Sequence, residues 1–131
     1  MASVLYPKFK EGLLSGTIDL TSDVIRAVLI DTGTYTYDAA HNAYDDLSGV
    51  VATESNVLGS KTVTDGVFDS ANITFTAASG ATAEAIVLFT DTGTPGTDLL
   101  IAYIDSGTGL PVTPNGGDIN VTVNGSGWFT L

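Results

Sequence analysis

Val24-Ile25-Arg26-Ala27-Val28-Leu29-Ile30 is the stretch that decides the fold class. Every residue but Arg26 is apolar, so it reads as a central strand covered on both faces. Two further runs, residues 83–89 and 99–104, have the same buried texture. Around them lie segments that alternate. Ile73, Phe75 and Ala77 face one way against Thr74 and Thr76, and Ile119, Val121 and Val123 share one side. Residues 50–53 and 61–64 are short strand candidates, and Asp65-Gly66 follows as a turn dipeptide. Asn124-Gly125-Ser126-Gly127 reads as a hairpin turn into a last strand over 128–131. The expectation is a mainly β single domain over residues 1–131, a compact β-sandwich or barrel of about seven to eight strands.

One helix precedes the strands. Val4, Leu5, Phe9, Leu13 and Leu14 recur at helical spacing, with Lys8, Lys10 and Glu11 on the other side, predicting a helix over residues 4–14 within an N-terminal segment 1–16. Ser3 can cap it, Pro7 suits its first turn, Gly12 weakens it and Gly16 should end it. Residues 35–47 read as a loop, with a short helical turn at 43–47.

Composition removes whole classes of function. Of 131 residues 44% are apolar and 15% charged, the balance of a globular chain. Four basic residues against fifteen acidic ones leave a net charge of −11. Such a surface cannot neutralise nucleic-acid phosphates or anchor to an anionic membrane. There is no cysteine, hence no disulfide, thiolate metal site or cysteine nucleophile. No window has the roughly 18 apolar residues of a membrane span, and no secretory signal is visible.

Three near-identical tetrapeptides end apolar runs: Asp31-Thr32-Gly33-Thr34, Asp91-Thr92-Gly93-Thr94 and Asp105-Ser106-Gly107-Thr108. Asp-Thr-Gly after an apolar strand is the active loop of aspartic proteases, where two such carboxylates share a proton across a dimer. The physical alternative is a turn in which Asp caps its own backbone and Gly supplies positive φ. The same tetrapeptide occurring three times favours the turn. His41 with Asp45 and Asp46 could form a base or metal site, and Asp45 with Asp46, or Asp38 with Asp45, could hold Ca²⁺. No nucleophile elbow or EF-hand spacing accompanies them. Gly116-Gly117 precedes a strand, so it is a tight loop and not a phosphate cradle. No catalytic residue, cofactor or metal site is expected. The five tyrosines and Trp128 are scattered in sequence, and a sugar platform cannot be told from core aromatics.

Several blocks in order carry a resemblance. They are Val4-Leu5-Tyr6 into Lys8-Phe9-Lys10-Glu11, Ile18-Asp19-Leu20, Val28-Leu29-Ile30-Asp31-Thr32, and Lys61-Thr62-Val63-Thr64-Asp65-Gly66-Val67-Phe68-Asp69. Leu100-Ile101-Ala102-Tyr103-Ile104-Asp105 and Gly109-Leu110-Pro111-Val112-Thr113-Pro114-Asn115-Gly116-Gly117-Asp118 complete the set. Over nearly the whole chain this resembles the short virion structural proteins of tailed bacteriophages. The resemblance implies a head decoration, or cement, protein, made in the host cytoplasm and carried on the exterior of the phage head. It further implies a homotrimer that clamps the major capsid protein. A tail, baseplate or fibre-associated module is the alternative, and a dimeric aspartic protease through Asp31-Thr32-Gly33 the distant one.

Charge points to where a partner would bind. Lys8, Lys10 and Arg26 lie in the first 26 residues, beside the apolar Val4, Leu5, Tyr6 and Phe9. The expected contact is therefore Val4, Leu5, Tyr6, Lys8, Phe9 and Lys10, with Tyr6 and Phe9 as anchors and the lysines at the rim. The competing expectation is that Phe9, Leu13 and Leu14 cover one end of the sandwich.

Overall fold

The computed structural model describes residues 4–94, 96–105, 110–123 and 127–131, with the backbone alone for 52–56. The expectations for Ser3, for Ser106-Gly107-Thr108 and for Asn124-Gly125-Ser126 fall outside the described residues. In chain order the elements are β1 (Val4–Leu5), α1 (Pro7–Ser15), β2 (Ile25–Ile30), β3 (Val50–Val57), β4 (Thr62–Thr64) and β5 (Val67–Asp69). Then follow β6 (Ile73–Phe75), β7 (Ala85–Thr90), β8 (Leu100–Ile104), β9 (Ile119–Val121) and β10 (Phe129–Thr130). The chain is mainly β, with ten strands in three sheets among the described residues. Two more strands are present than the upper expectation: β1, in a stretch whose spacing reads as helix, and β5, the second arm of the Asp65-Gly66 hairpin.

The main sheet is antiparallel in the order β1-β8-β7-β2-β3 and stays open, so the barrel alternative falls away. Its middle strands are the apolar runs of the sequence. β7 and β8 are buried at every position, and β2 at every position but Arg26. Both faces are covered, as continuous apolarity requires. Register places Tyr103, Val87 and Val28 on one face with Phe89 and Arg26. There the loop after β2 packs its rings: Tyr44 lies 4.6 Å from Phe89, and Tyr37 5.6 Å from Tyr103. Leu5, Ala102 and Ile104 belong to the opposite face, where they line a cleft of about 260 Å³ with Trp128 and Phe129. Arg26 is accommodated by pairing with Asp91, whose carboxyl it holds below the usual range.

Two smaller sheets complete the layer, β10-β5-β4 and β6-β9. β4 and β5 form a hairpin on Asp65-Gly66, both at positive φ (51° and 81°), the geometry of a type I′ turn. The expected hairpin into the last strand is corrected. β10 pairs with β5 through Phe129↔Phe68 and Thr130↔Val67, while β9 pairs with β6. The aromatic pairs explain the choice: Phe129 stands 5.5 Å from Phe68 and 5.6 Å from Phe9.

The helix is shorter at its start than its apolar spacing implies. Pro7 occupies the first turn, Tyr6 is extended (φ −68°, ψ 132°), and Val4–Leu5 leave the helix to pair with Tyr103 and Ala102. A residue before proline is pushed out of helical conformation, so the chain must straighten at Tyr6. The other end falls at Gly16, in the left-handed region, as expected. Gly12 is buried against Ile18, where a Cβ would meet Cδ1 at 2.7 Å. The residue that weakens the helix in sequence is what lets the following chain pack onto it.

Candidate docking face

The six residues expected to meet a partner divide. Tyr6 and Phe9 have no exposed surface. Tyr6 extends β1 by donating its N–H to the Ile101 carbonyl at 3.0 Å, and its hydroxyl meets that of Tyr35 at 2.8 Å. Phe9 sits edge-on to Phe129. Both rings are core, which corrects their reading as surface anchors. Val4 and Leu5 are half-buried in β1, while Lys8 and Lys10 remain exposed, Lys8 with Glu11 at 3.3 Å. The competing expectation holds for Phe9, which is buried, and fails for Leu14, which is 90% exposed.

Val24 and Val57 are exposed apolar residues as well. Leu131 and Val63 are also exposed, and the groove between them, about 380 Å³, is lined by Leu13, Ile18, Leu20, Val63 and Leu131. β4 is the outer strand of its sheet, with all three residues exposed, so one backbone edge is left unpaired there. Asp19 borders the same groove, and its carboxyl is held below the usual range. Its Oδ1 accepts the Thr21 hydroxyl at 2.7 Å and the Thr21 N–H at 2.9 Å, and these hold its carboxyl at about 2 against the usual 3.8. Thr21→Val removes the hydroxyl donor, so the Asp19 carboxyl should titrate closer to 3.8 in a carbon-detected NMR titration. A lowered native value favours the folded state above the carboxylate range, and that preference fades as pH falls toward about 2. An unmoved Asp19 midpoint in Thr21→Val would mean the hydroxyl is not its partner.

The other candidates resolve into turns. Asp31 Oδ1 accepts the Gly33 N–H at 2.9 Å and Asp91 Oδ1 the Gly93 N–H at 2.9 Å, the same construction twice. Gly93 has positive φ as expected, whereas Gly33 does not. Asp46 caps the short helical turn Tyr44–Asp46, accepting the N–H groups of Asn42 and Ala43, which hold its carboxyl below the usual range. Asp38 accepts the Ala40 N–H. Among the described residues no three His, Asp or Glu side chains gather around a common metal position. Nor is any helix there long and apolar enough to cross a membrane.

One constellation was invisible in sequence. Tyr6, Tyr35, Tyr37 and Tyr103 gather on one face of the main sheet, and Tyr35 Oη lies 2.8 Å from His41 Nδ1. Burial pushes all four phenols above their ordinary range. The signal was present only as one histidine and two tyrosines within seven residues, 35–41, in a loop facing an apolar strand. No family model matches the chain, and no curated protein matches it in sequence.

Proposed function

We propose that this chain is a structural subunit of a tailed-phage particle, a non-catalytic head decoration protein on the outside of the major capsid shell, assembled as a homotrimer. The observation that carries this reading is the apolar groove lined by Leu13, Ile18, Leu20, Val63 and Leu131, the last two exposed, on a small, strongly acidic β domain. Crowding subunits of charge −11 on one shell is repulsive, so attachment must come from contacts that do not depend on net charge. An apolar groove beside an unpaired strand edge supplies both area and backbone hydrogen bonds. Lys8 and Lys10, on the exposed side of α1, lie on the helix that carries Leu13 and Leu14 and soften the acidic field there. The resemblance to short virion proteins supports the same assignment. The turn-capping role of the Asp31 carboxylate supports a structural subunit over a protease.

The test is reconstitution on particles stripped of the protein. The wild type should bind in hundreds of copies and hold, or tighten, as salt rises. Leu131→Asp combined with Val63→Lys should weaken binding at least tenfold with an unchanged circular dichroism spectrum, since both residues are exposed. Saturation by the double variant at wild-type affinity would place the contact elsewhere. Occupancy by a handful of copies would move the subunit to the tail, and Asp31-dependent cleavage of a virion precursor would overturn the structural assignment.

A further inference from the structure

The buried hydroxyl of Tyr6 has one recorded partner, the hydroxyl of Tyr35, and Tyr35 in turn reaches the ring of His41. A phenol carries one proton and can donate only once. Two phenols in series, the inner one fully buried, are both satisfied in one arrangement: Tyr6 O–H donates to Tyr35 O, and Tyr35 O–H donates to Nδ1. That arrangement requires Nδ1 to be an acceptor, hence a neutral ring with its proton on Nε2. A protonated ring has donors on both nitrogens. Nδ1–H would then donate to Tyr35, Tyr35 would donate to Tyr6, and the Tyr6 O–H would be left pointing into the core with no acceptor among the described residues.

We propose that His41 is a proton-operated latch on the loop over the sheet: proton uptake reverses the Tyr6–Tyr35–His41 chain, orphans the Tyr6 hydroxyl, and loosens residues 35–47 from the tyrosine face. The groups around the latch set its terms. From its own loop, the Asp38 carbonyl accepts the His41 N–H, and the Asp46 carboxylate is close enough to feel the ring's charge. From the sheet, Tyr103 packs on Tyr35 and Tyr37, with Asp105 and Glu84 acting on it electrostatically. The loop is also where the molecule can yield. Tyr37 and His41 are half-exposed, whereas Tyr6 cannot reach water without leaving β8.

Unfolding by urea at pH 8 and at pH 5 tests this, a window in which histidine changes charge and most carboxylates do not. The wild type should lose about tenfold or more in its folding constant on going to pH 5, the expected scale for one orphaned buried hydroxyl. His41→Gln should show no such step. Tyr35→Phe should abolish it too, although His41 is intact, because no hydroxyl then couples the ring to the buried Tyr6 proton. ¹⁵N NMR of the wild-type ring gives a readout that needs no variant: at pH 8 the proton should sit on Nε2, and at pH 5 Tyr35 and Tyr37 signals should shift together with the ring. A wild type without the step, a step that survives in Tyr35→Phe, or a proton on Nδ1 at pH 8 would each overturn the latch.

Discussion

Phe9→Ala is expected to lower the unfolding free energy by about 3–5 kcal/mol, the range for emptying a buried aromatic site. The ring is fully buried and joins three elements: it belongs to α1, meets Phe129 of β10 edge-on, and through Phe129 reaches Phe68 of β5. Truncation therefore removes the buried area and an aromatic pair, itself about 0.5–1.5 kcal/mol. Collapse around the void is resisted because α1 is tied at its start to β1 and at its end to Ile18, through N–H bonds of Thr17 and Ile18 to the Gly12 carbonyl. For a domain with a typical stability of about 5–15 kcal/mol, this change alone brings unfolding close. Urea denaturation measures it, with Leu14→Ala as control. That residue is equally apolar but exposed, so its loss should stay within about 0.5 kcal/mol. Equal effects at the two positions would place Phe9 outside the core.

Gly127→Ala is expected to cost about 2–4 kcal/mol for a different reason, backbone geometry. Gly127 sits at φ 83°, where an L side chain is strained, and its space is taken. A Cβ there would lie 2.6 Å from the Phe68 carbonyl oxygen and 2.7 Å from Val67 Cγ1. The oxygen cannot move aside, because it accepts the Trp128 N–H at 2.7 Å and so begins the pairing of β10 with β5. The clash should lift β10 off β5. Trp128 is the protein's one tryptophan, half-buried, with its indole N–H donating to Ser70 Oγ at 2.7 Å. Its fluorescence reports the docking directly and should shift to the red. Gly16→Ala serves as the comparison: its φ is 78°, but nothing lies within 4 Å of the added carbon, so only the conformational strain of about 1 kcal/mol remains. Equal losses at the two glycines would mean that the close approach to Phe68 contributes nothing.

What the sequence discloses follows from how far apart the interacting residues are. β2, β7 and β8 are legible because a strand buried on both faces must be apolar throughout, a signal contained in six consecutive residues. The Asp65-Gly66 turn and the Gly16 helix end are legible because positive φ selects particular residues locally. β1 and β5 are not, since two or three residues carry no periodicity, and the partner of β10 is not, since it lies some sixty residues back along the chain. Val4 is read as helix because it stands five residues from Phe9, yet Pro7 already forbids that extension. The candidate surface fails for a related reason. Aromatic and apolar residues near lysines look like an anchor, but periodicity cannot say which side of an element faces the core. Tyr6 and Phe9 turned inward, and the exposed large apolar residues proved to be Leu14, Val24, Val57, Val63 and Leu131.

The wiring of the main sheet sets the order in which it can assemble. β7 and β8 are separated by a short connection, and β4 and β5 by a two-residue turn, so these hairpins close within microseconds. β2 must wait for β7, more than fifty residues later, and Val4 finds Tyr103 only across almost the whole chain. Lengthening a loop adds little to the equilibrium cost of closing it, about 0.6 kcal/mol per doubling, but distant pairings slow the search for the native arrangement. The strand that carries Val4 and Leu5 is thus expected to be the last to be laid on the sheet. Refolding should run in milliseconds to seconds, with the tyrosine face closing in its final phase, when Tyr6 arrives beneath Tyr35.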